Sequence, residues 1–137
     1  MKLTMVGTGY VGLVTGTCFA NTGNDVVCLD VDPEKIHILQ SGGCPIYEPG
    51  LPALLAKNIE AQRLTFTLDK EQAYKNAEIV FICVGTPTGE DGSADLQYVL
   101  NAARDIGEAI KSLGEGQPPK IIVVKSTVPV GTTHLVR

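Results

Sequence analysis

A glycine-rich segment near the start of the chain carries the strongest chemical signal. Gly7, Gly9 and Gly12 form a G-x-G-x-x-G pattern between a β-type apolar run at 2–6 and a helical pattern at 10–21. In such a turn the glycines permit a tight bend, a close approach to a pyrophosphate and helix–sheet packing, and the helix N-terminus attracts the anion. The segment predicts a dinucleotide phosphate site, with a turn that serves only compact packing as the alternative.

An acidic residue stands where such a site would bind a ribose. Asp30 ends the next β-type run, 18 positions after Gly12. Its carboxylate can accept the hydroxyl protons of an adenosine ribose, whereas a 2′-phosphate would meet like charge, and Val31 and Asp32 supply no cation. This favours NAD over NADP. The alternative for Asp30 is a solvated acid at the end of a strand. Lys35, on the next helix, is placed either to reach the same ribose or to be a solvated lysine.

Two later segments follow apolar strands, at the sheet edge where ligands bind in such folds. The first is a small, rigid, hydroxyl-bearing turn that consists of Val84, Gly85, Thr86, Pro87 and Thr88. The second places the hydroxyls of Ser126 and Thr127 near the expected nicotinamide. A plain turn explains the first segment equally well, and helix capping explains the second.

The elements that must position these residues alternate along the chain. Strand patterns cover 2–6, 25–30, 64–68, 78–84 and 120–126, and helical patterns cover 10–21, 33–40, 51–61, 70–76 and 95–113. Such alternation predicts a Rossmann-like, doubly wound parallel sheet in three α/β/α layers, with strand order 3-2-1-4-5-6 and truncation after the fifth strand. The continuous apolar runs at 79–84 and 121–124 predict strands that are covered on both faces.

Composition narrows the class of protein. The 137 residues suit one globular domain, with 44% hydrophobic and 19% charged residues. A net charge of -4 without a basic run disfavours nucleic-acid binding, and the apolar runs are too short to cross a bilayer as a helix.

No metal site is expected, because His37 and His134 stand alone. The cysteines lack C-x-x-C spacing. Cys44 is expected to be the least buried of them, whereas Cys18 lies in an apolar segment. A reducing cytoplasm is the simplest compartment.

Several motifs in order resemble the N-terminal NAD-binding domain of a nucleotide-sugar dehydrogenase family that includes the UDP-glucose 6-dehydrogenases. The resemblance covers all 137 residues. It rests on the segments 7–12, 45–51, 84–88, 92–96 and 125–131, together with Asp30 and Lys35. Enzymes of this family oxidise the C6 alcohol of a UDP-sugar to a carboxylate in two NAD-dependent steps, through a thioester on a cysteine.

The resemblance implies roles for individual residues. Backbone groups of the first motif would hold the pyrophosphate: Gly7, Thr8, Gly9, Tyr10, Val11 and Gly12. Asp30 and Lys35 would hold the adenosine ribose, and segment 84–88 and Ser126 would contact the rest of the dinucleotide. Thr127 matches a family threonine that helps to position a catalytic water or proton-transfer group.

The resemblance also implies what these 137 residues do not contain. The family's catalytic cysteine and lysine, its central helical region and its UDP-binding domain match nothing here, so the fragment alone is expected to bind NAD without oxidising a UDP-sugar. Segments 47–51 and 92–96 favour the UDP-glucose branch over the GDP-mannose and UDP-N-acetylmannosamine branches. A non-catalytic NAD-binding module, or a flavin or S-adenosylmethionine site, is the alternative from another class. An open sheet edge favours a homodimer.

Overall fold

The computed structural model describes residues 1–114 and 116–136. Five strands form one parallel sheet: β1 (Lys2–Val6), β2 (Asp25–Leu29), β3 (Leu64–Thr67), β4 (Ile79–Ile82) and β5 (Ile121–Val124). The helices are α1 (Tyr10–Asn21), α2 (Pro33–Gln40), α3 (Leu51–Glu60), α4 (Lys70–Lys75), α5 (Gln97–Ser112) and α6 (Thr132–Val136). The strand order is β3-β2-β1-β4-β5, which confirms the predicted doubly wound topology.

Two apolar cores cover the two faces of the sheet and confirm the predicted three layers. Leu3 and Met5 of β1 belong to a core that also includes buried residues of α1, α2 and α3. Val6, on the other face of β1, belongs to a core shared with α4 and α5. This division follows from the two-residue period of a strand, which sends successive side chains to opposite faces.

Local signals explain why the helices begin and end where they do. The Asp32 carboxylate accepts hydrogen bonds from the amides of Glu34 and Lys35, with Pro33 in the first turn of α2. Gly23 follows the end of α1 with φ of +94°, a conformation that side chains other than glycine rarely adopt. The predicted bounds of α1 and α2 match the structure, because these caps are encoded within a few residues.

The structure corrects three expectations. The fourth and fifth strands are shorter than predicted, since residues 83–84 and 125–126 lie in the loops that follow them. β5 is not covered on both faces: it is the edge strand, and Ile121 is 60% exposed. Cys18 is exposed on α1, whereas Cys44 is partly buried and its thiol donates to the Ile46 carbonyl, so Cys44 is not the least buried cysteine.

None of the helices in the two described ranges is long and apolar enough to cross a membrane. The same residues contain no group of three or more histidine, cysteine, aspartate or glutamate side chains placed to hold a metal ion.

Candidate nucleotide-binding site

The glycine-rich turn joins β1 to α1 at the carboxyl edge of the sheet. Gly7 has φ of +102°, and its amide donates to the Leu29 carbonyl at 2.8 Å. A Cβ on Gly7 would lie 2.9 Å from the Cys83 carbonyl oxygen, and one on Gly12 would collide with the Gly7 carbonyl oxygen. These two glycines are therefore required by the packing of the turn itself, whatever the turn binds.

Gly9 is required by no contact with the residues that the structure describes. Its φ is -72°, which any residue adopts, and a Cβ built on it would meet nothing within 4 Å. Gly9 is the N-cap of α1, and the first helical hydrogen bond runs from the Leu13 amide to its carbonyl at 2.9 Å. The amides of residues 10–12 therefore precede the helical ladder and have no carbonyl partner within it. Open space beside free amides at a helix N-terminus suits a phosphate group.

Asp30 follows β2 and is held by three donors. Its Oδ2 accepts from the Thr8 amide at 2.7 Å and from the Thr8 hydroxyl at 2.6 Å, and its Oδ1 accepts from the Asp32 amide at 3.0 Å. Thr8 is fully buried, so both of its polar groups in this network are turned toward Asp30 rather than toward solvent. Thr8 thus fixes the carboxylate, and the carboxylate in turn fixes the glycine-rich turn.

Opposing effects set the charge state of Asp30. Partial burial raises its pKa, but the hydrogen bonds from Thr8 and Asp32, with the positive charge of Lys35, outweigh burial and hold the pKa below its ordinary value of 3.8. Asp30 is therefore ionised at neutral pH and acts as a hydrogen-bond acceptor. Lys35 lies near enough to contribute to this charge balance.

A cleft of about 400 Å³ opens beside Asp30, between α4 and α5. Its walls combine predicted site residues with others that sequence reasoning missed. Gly7, Asp30 and Val84 are the predicted ones. The missed residues are Lys70, Tyr74, Tyr98, Asn101, Arg104 and Asp105. Lys70 and Asp105 form an ion pair of 2.7 Å across the two helices. The volume is within the range of small-molecule sites.

The ends of β4 and β5 lie together at the same sheet edge. The Ser126 hydroxyl donates to the Val84 carbonyl at 2.7 Å, and the Ser126 amide donates to the Ile82 carbonyl at 3.0 Å. These two hydrogen bonds hold the two hydroxyl-bearing segments that the sequence singled out next to each other. Thr127 follows as an exposed residue, and Thr88 forms an isolated antiparallel bridge with Ala94 that shapes the loop after β4.

The first residue of α1 also contacts the loop before α3. The Tyr10 hydroxyl donates to the Tyr47 carbonyl at 2.8 Å, so segment 45–51 is anchored beside the glycine-rich turn. Cys83, the first residue after β4, lies under the same turn. Burial raises the pKa of its thiol to about 11, against the lowering effect of Lys125, and the thiol is therefore protonated and unreactive at neutral pH.

The fold places a glycine-rich turn at the switch point of the sheet and an ionised acid on the neighbouring strand, an arrangement typical of dinucleotide-binding α/β domains. Comparison with known proteins adds the family. The model of the UDP-glucose/GDP-mannose dehydrogenase family, NAD binding domain, matches residues 1–137. The chain belongs to this family, whose cofactor is NAD.

Individual relatives agree with the family assignment. UDP-glucose 6-dehydrogenase TuaD of Bacillus subtilis is 54% identical over 136 residues, which are 99% of this chain and 28% of the relative. A UDP-glucose dehydrogenase structure from Pyrobaculum islandicum has a TM-score of 0.92 at 45% identity, covering 98% of this chain and 31% of that one. A GDP-mannose dehydrogenase structure from Pseudomonas aeruginosa has a TM-score of 0.93 at 40% identity, covering 99% and 30%. The chain thus spans under a third of each of these relatives.

Proposed function

We propose that the chain binds NAD through the glycine-rich turn and Asp30 and supplies the cofactor site of a UDP-glucose 6-dehydrogenase. The observation that carries the proposal is the pairing of Gly9, open on its Cβ side beside free helix amides, with the ionised Asp30 one strand away. The turn would hold the pyrophosphate, and Asp30 and Lys35 would hold the adenosine ribose. When bound, NAD supplies a hydride acceptor.

The residues at the ends of β4 and β5 would orient the other half of the dinucleotide. Segment 84–88 would lie along it, and Ser126 would contribute mainly by holding that segment through its hydrogen bond to the Val84 carbonyl. Thr127, which is exposed at this edge, is the residue we propose to position a water or proton-transfer group. The remaining catalytic groups of the two-step oxidation are assigned to none of these 137 residues.

The choice of substrate rests on the relatives. UDP-glucose 6-dehydrogenases of Bacillus subtilis and Rhizobium meliloti are 54% and 51% identical to this chain. GDP-mannose 6-dehydrogenase of Pseudomonas aeruginosa is 40% identical. This difference supports UDP-glucose, with GDP-mannose as the second candidate, because the same domain serves both substrates in the family.

Calorimetric titration with NAD and NADP tests the cofactor proposal. We expect saturable NAD binding and at least about tenfold weaker NADP binding, since each tenfold corresponds to about 1.4 kcal/mol and the 2′-phosphate would meet the Asp30 carboxylate. Gly9→Ala places a methyl group in the open space and should abolish NAD binding without changing the melting temperature. Gly107→Ala is the matched control, because Gly107 lies on α5 with equally open surroundings outside the cleft.

Three results would refute the cofactor proposal. They are a lack of heat with NAD, tighter binding of a flavin or S-adenosylmethionine than of NAD, and full NAD affinity in the Gly9→Ala variant.

We further propose a cytoplasmic location and a homodimer. The dimer is supported by the exposed edge of β5, where Ile121 is 60% exposed. Sedimentation equilibrium should show a dimer that Ile121→Lys weakens, and a monomer at all concentrations would contradict this expectation.

A further inference from the structure

The loop after β4 contains the single Asp-Gly pair of the sequence, Asp91–Gly92. Both residues are exposed, and a Cβ built on Gly92 would meet nothing within 4 Å. Because glycine has no side chain, its backbone nitrogen can approach the carboxyl group of the preceding residue without steric hindrance. This pairing is suited to aspartate isomerisation, in which the chain is reconnected through the aspartate side chain.

The isomerisation has two steps, in which one water leaves and one water returns. The Gly92 nitrogen forms a bond to the side-chain carboxyl carbon of Asp91, while the nitrogen loses its proton and a carboxyl oxygen leaves as water. The product is a five-membered imide. Water opens the imide at the side-chain carbonyl to restore aspartate, or at the main-chain carbonyl to give isoaspartate, which has one additional methylene group in the backbone. The mass is unchanged, and neither an oxidant nor a reductant takes part.

Ser93 opposes the first step. The Asp91 Oδ1 accepts from the Ser93 hydroxyl at 2.6 Å and from the Ser93 amide at 3.0 Å. These two hydrogen bonds hold the pKa of Asp91 below its ordinary value of 3.8, so the protonated carboxyl, which is the form that loses water, is rarer than in an unstructured chain. The Gly92 amide is also engaged, because it donates to the Gly89 carbonyl at 3.0 Å.

The same turn supports the segment that we place along the cofactor. The Gly89 amide donates to the Ser93 carbonyl at 2.7 Å, and Thr88 pairs with Ala94 in the isolated bridge that closes the turn. An additional methylene group lengthens the backbone between Thr88 and Ala94, so these contacts lose their register. Isomerisation would therefore release segment 84–88 from one of its supports.

We propose that Asp91 is a site of spontaneous isomerisation to isoaspartate, and that Ser93 slows this modification by holding the carboxylate. The loss of cofactor binding that follows from it rests on the proposed NAD site, whereas the modification itself does not. Asp95 serves as an internal reference. It is exposed in the same loop and accepts from the Gln97 amide at 2.9 Å, but the nitrogen that follows it belongs to Leu96, whose side chain hinders the approach.

Incubation of the purified chain for weeks at physiological temperature, followed by tryptic digestion, measures the modification. Cleavage after Lys75 and Arg104 gives one peptide that contains both Asp91 and Asp95. The isoaspartyl form has the same mass and a different retention time, and electron-transfer fragmentation assigns it to one residue. We expect isoaspartate to accumulate at Asp91 and not at Asp95.

The variant Ser93→Ala removes the stronger of the two donors and should accumulate isoaspartate about three- to tenfold faster, the range of one hydrogen bond. Ser112→Ala is the matched control, because this exposed serine also donates locally, to the Ala109 carbonyl, and its variant should match the wild type. Asp91→Glu cannot close the five-membered ring and should give no signal at this position. The inference would be overturned if the wild type and Ser93→Ala both stayed free of isoaspartate at Asp91, or accumulated it at equal rates.

Calorimetry with NAD tests the functional consequence. In aged Ser93→Ala, the fraction of chains that bind NAD with the affinity of the fresh variant should fall in proportion to the isoaspartate content, whereas aged Asp91→Glu should lose none. Isoaspartate that forms without any change in NAD binding would overturn this consequence. Fresh wild type that does not bind NAD would instead overturn the proposed function. In both cases mass spectrometry decides on the modification by itself.

Discussion

The hydrogen bond between Thr8 and Asp30 gives a prediction whose size follows from the structure. Thr8→Val replaces the hydroxyl with a methyl group of similar shape and leaves the Thr8 and Asp32 amides on the carboxylate. The lost bond is short, 2.6 Å, and its acceptor is charged, a class of bond that contributes roughly 1.5–3 kcal/mol. Because Asp30 is only partly buried, we expect the lower end, about 1.5 kcal/mol at neutral pH.

Urea unfolding measures this difference. With a slope of about 1–3 kcal/mol per molar urea, the midpoint should fall by about 0.5–1.5 M while the slope stays constant. Thr65→Val is the matched control: Thr65 is exposed on β3, and its variant should unfold within about 0.5 kcal/mol of the wild type. Equal midpoints for Thr8→Val and the wild type would refute the energetic role assigned to this bond.

The same pair predicts a pH dependence with a definite sign. The folded pKa of Asp30 is lowered, so the stability that its hydrogen bonds confer is fully present above its ordinary pKa of 3.8 and is lost as pH falls through the folded value. The gap between wild type and Thr8→Val should therefore be constant at neutral pH and shrink at acid pH. A gap that widens on acidification would contradict the assignment of the charged acceptor.

Three further outcomes test other parts of the site. Gly12→Ala should destabilise the fold by about 3 kcal/mol or more, measured by urea unfolding, because its Cβ would overlap the Gly7 carbonyl; a wild-type midpoint would contradict the tight turn. Ser126→Ala should lower the free energy of unfolding by about 1 kcal/mol, because it loses the hydrogen bond to the Val84 carbonyl, whereas Thr127→Val should leave that free energy unchanged. Equal melting temperatures of the two variants would contradict this expectation. Incubation of the 137 residues with UDP-glucose and NAD should give no sustained NADH absorbance, and turnover would show that we have misassigned the catalytic groups.

Local rules explain how much of this molecule could be predicted from its sequence. The glycine spacing, the acid after β2 and the Asp32–Pro33 cap act over a few residues, so the turn and the bounds of α1 and α2 could be predicted. The sheet order followed from the alternation of strands and helices. The coverage of β5 could not be predicted, since an edge strand and a central strand can carry the same apolar residues.

The missed half of the site depends on how two helices face each other. Tyr74 and Asp105 lie on α4 and α5, which the sequence indicates only as helical patterns. Only the packing of these helices on the sheet turns both residues toward Asp30.

The Asp30 network also constrains how a ribose would bind. A carboxylate has about four lone-pair sites, and protein donors occupy three of them. One ribose hydroxyl can use the remaining site, but a second must compete with the Thr8 hydroxyl, which can rotate away whereas the Thr8 amide cannot. Thr8→Val removes this competitor. We therefore expect the variant to bind NAD at least as tightly as the wild type although it is less stable, and calorimetry that shows a tenfold loss of affinity would mean that the Thr8 hydroxyl stays on the carboxylate in the complex.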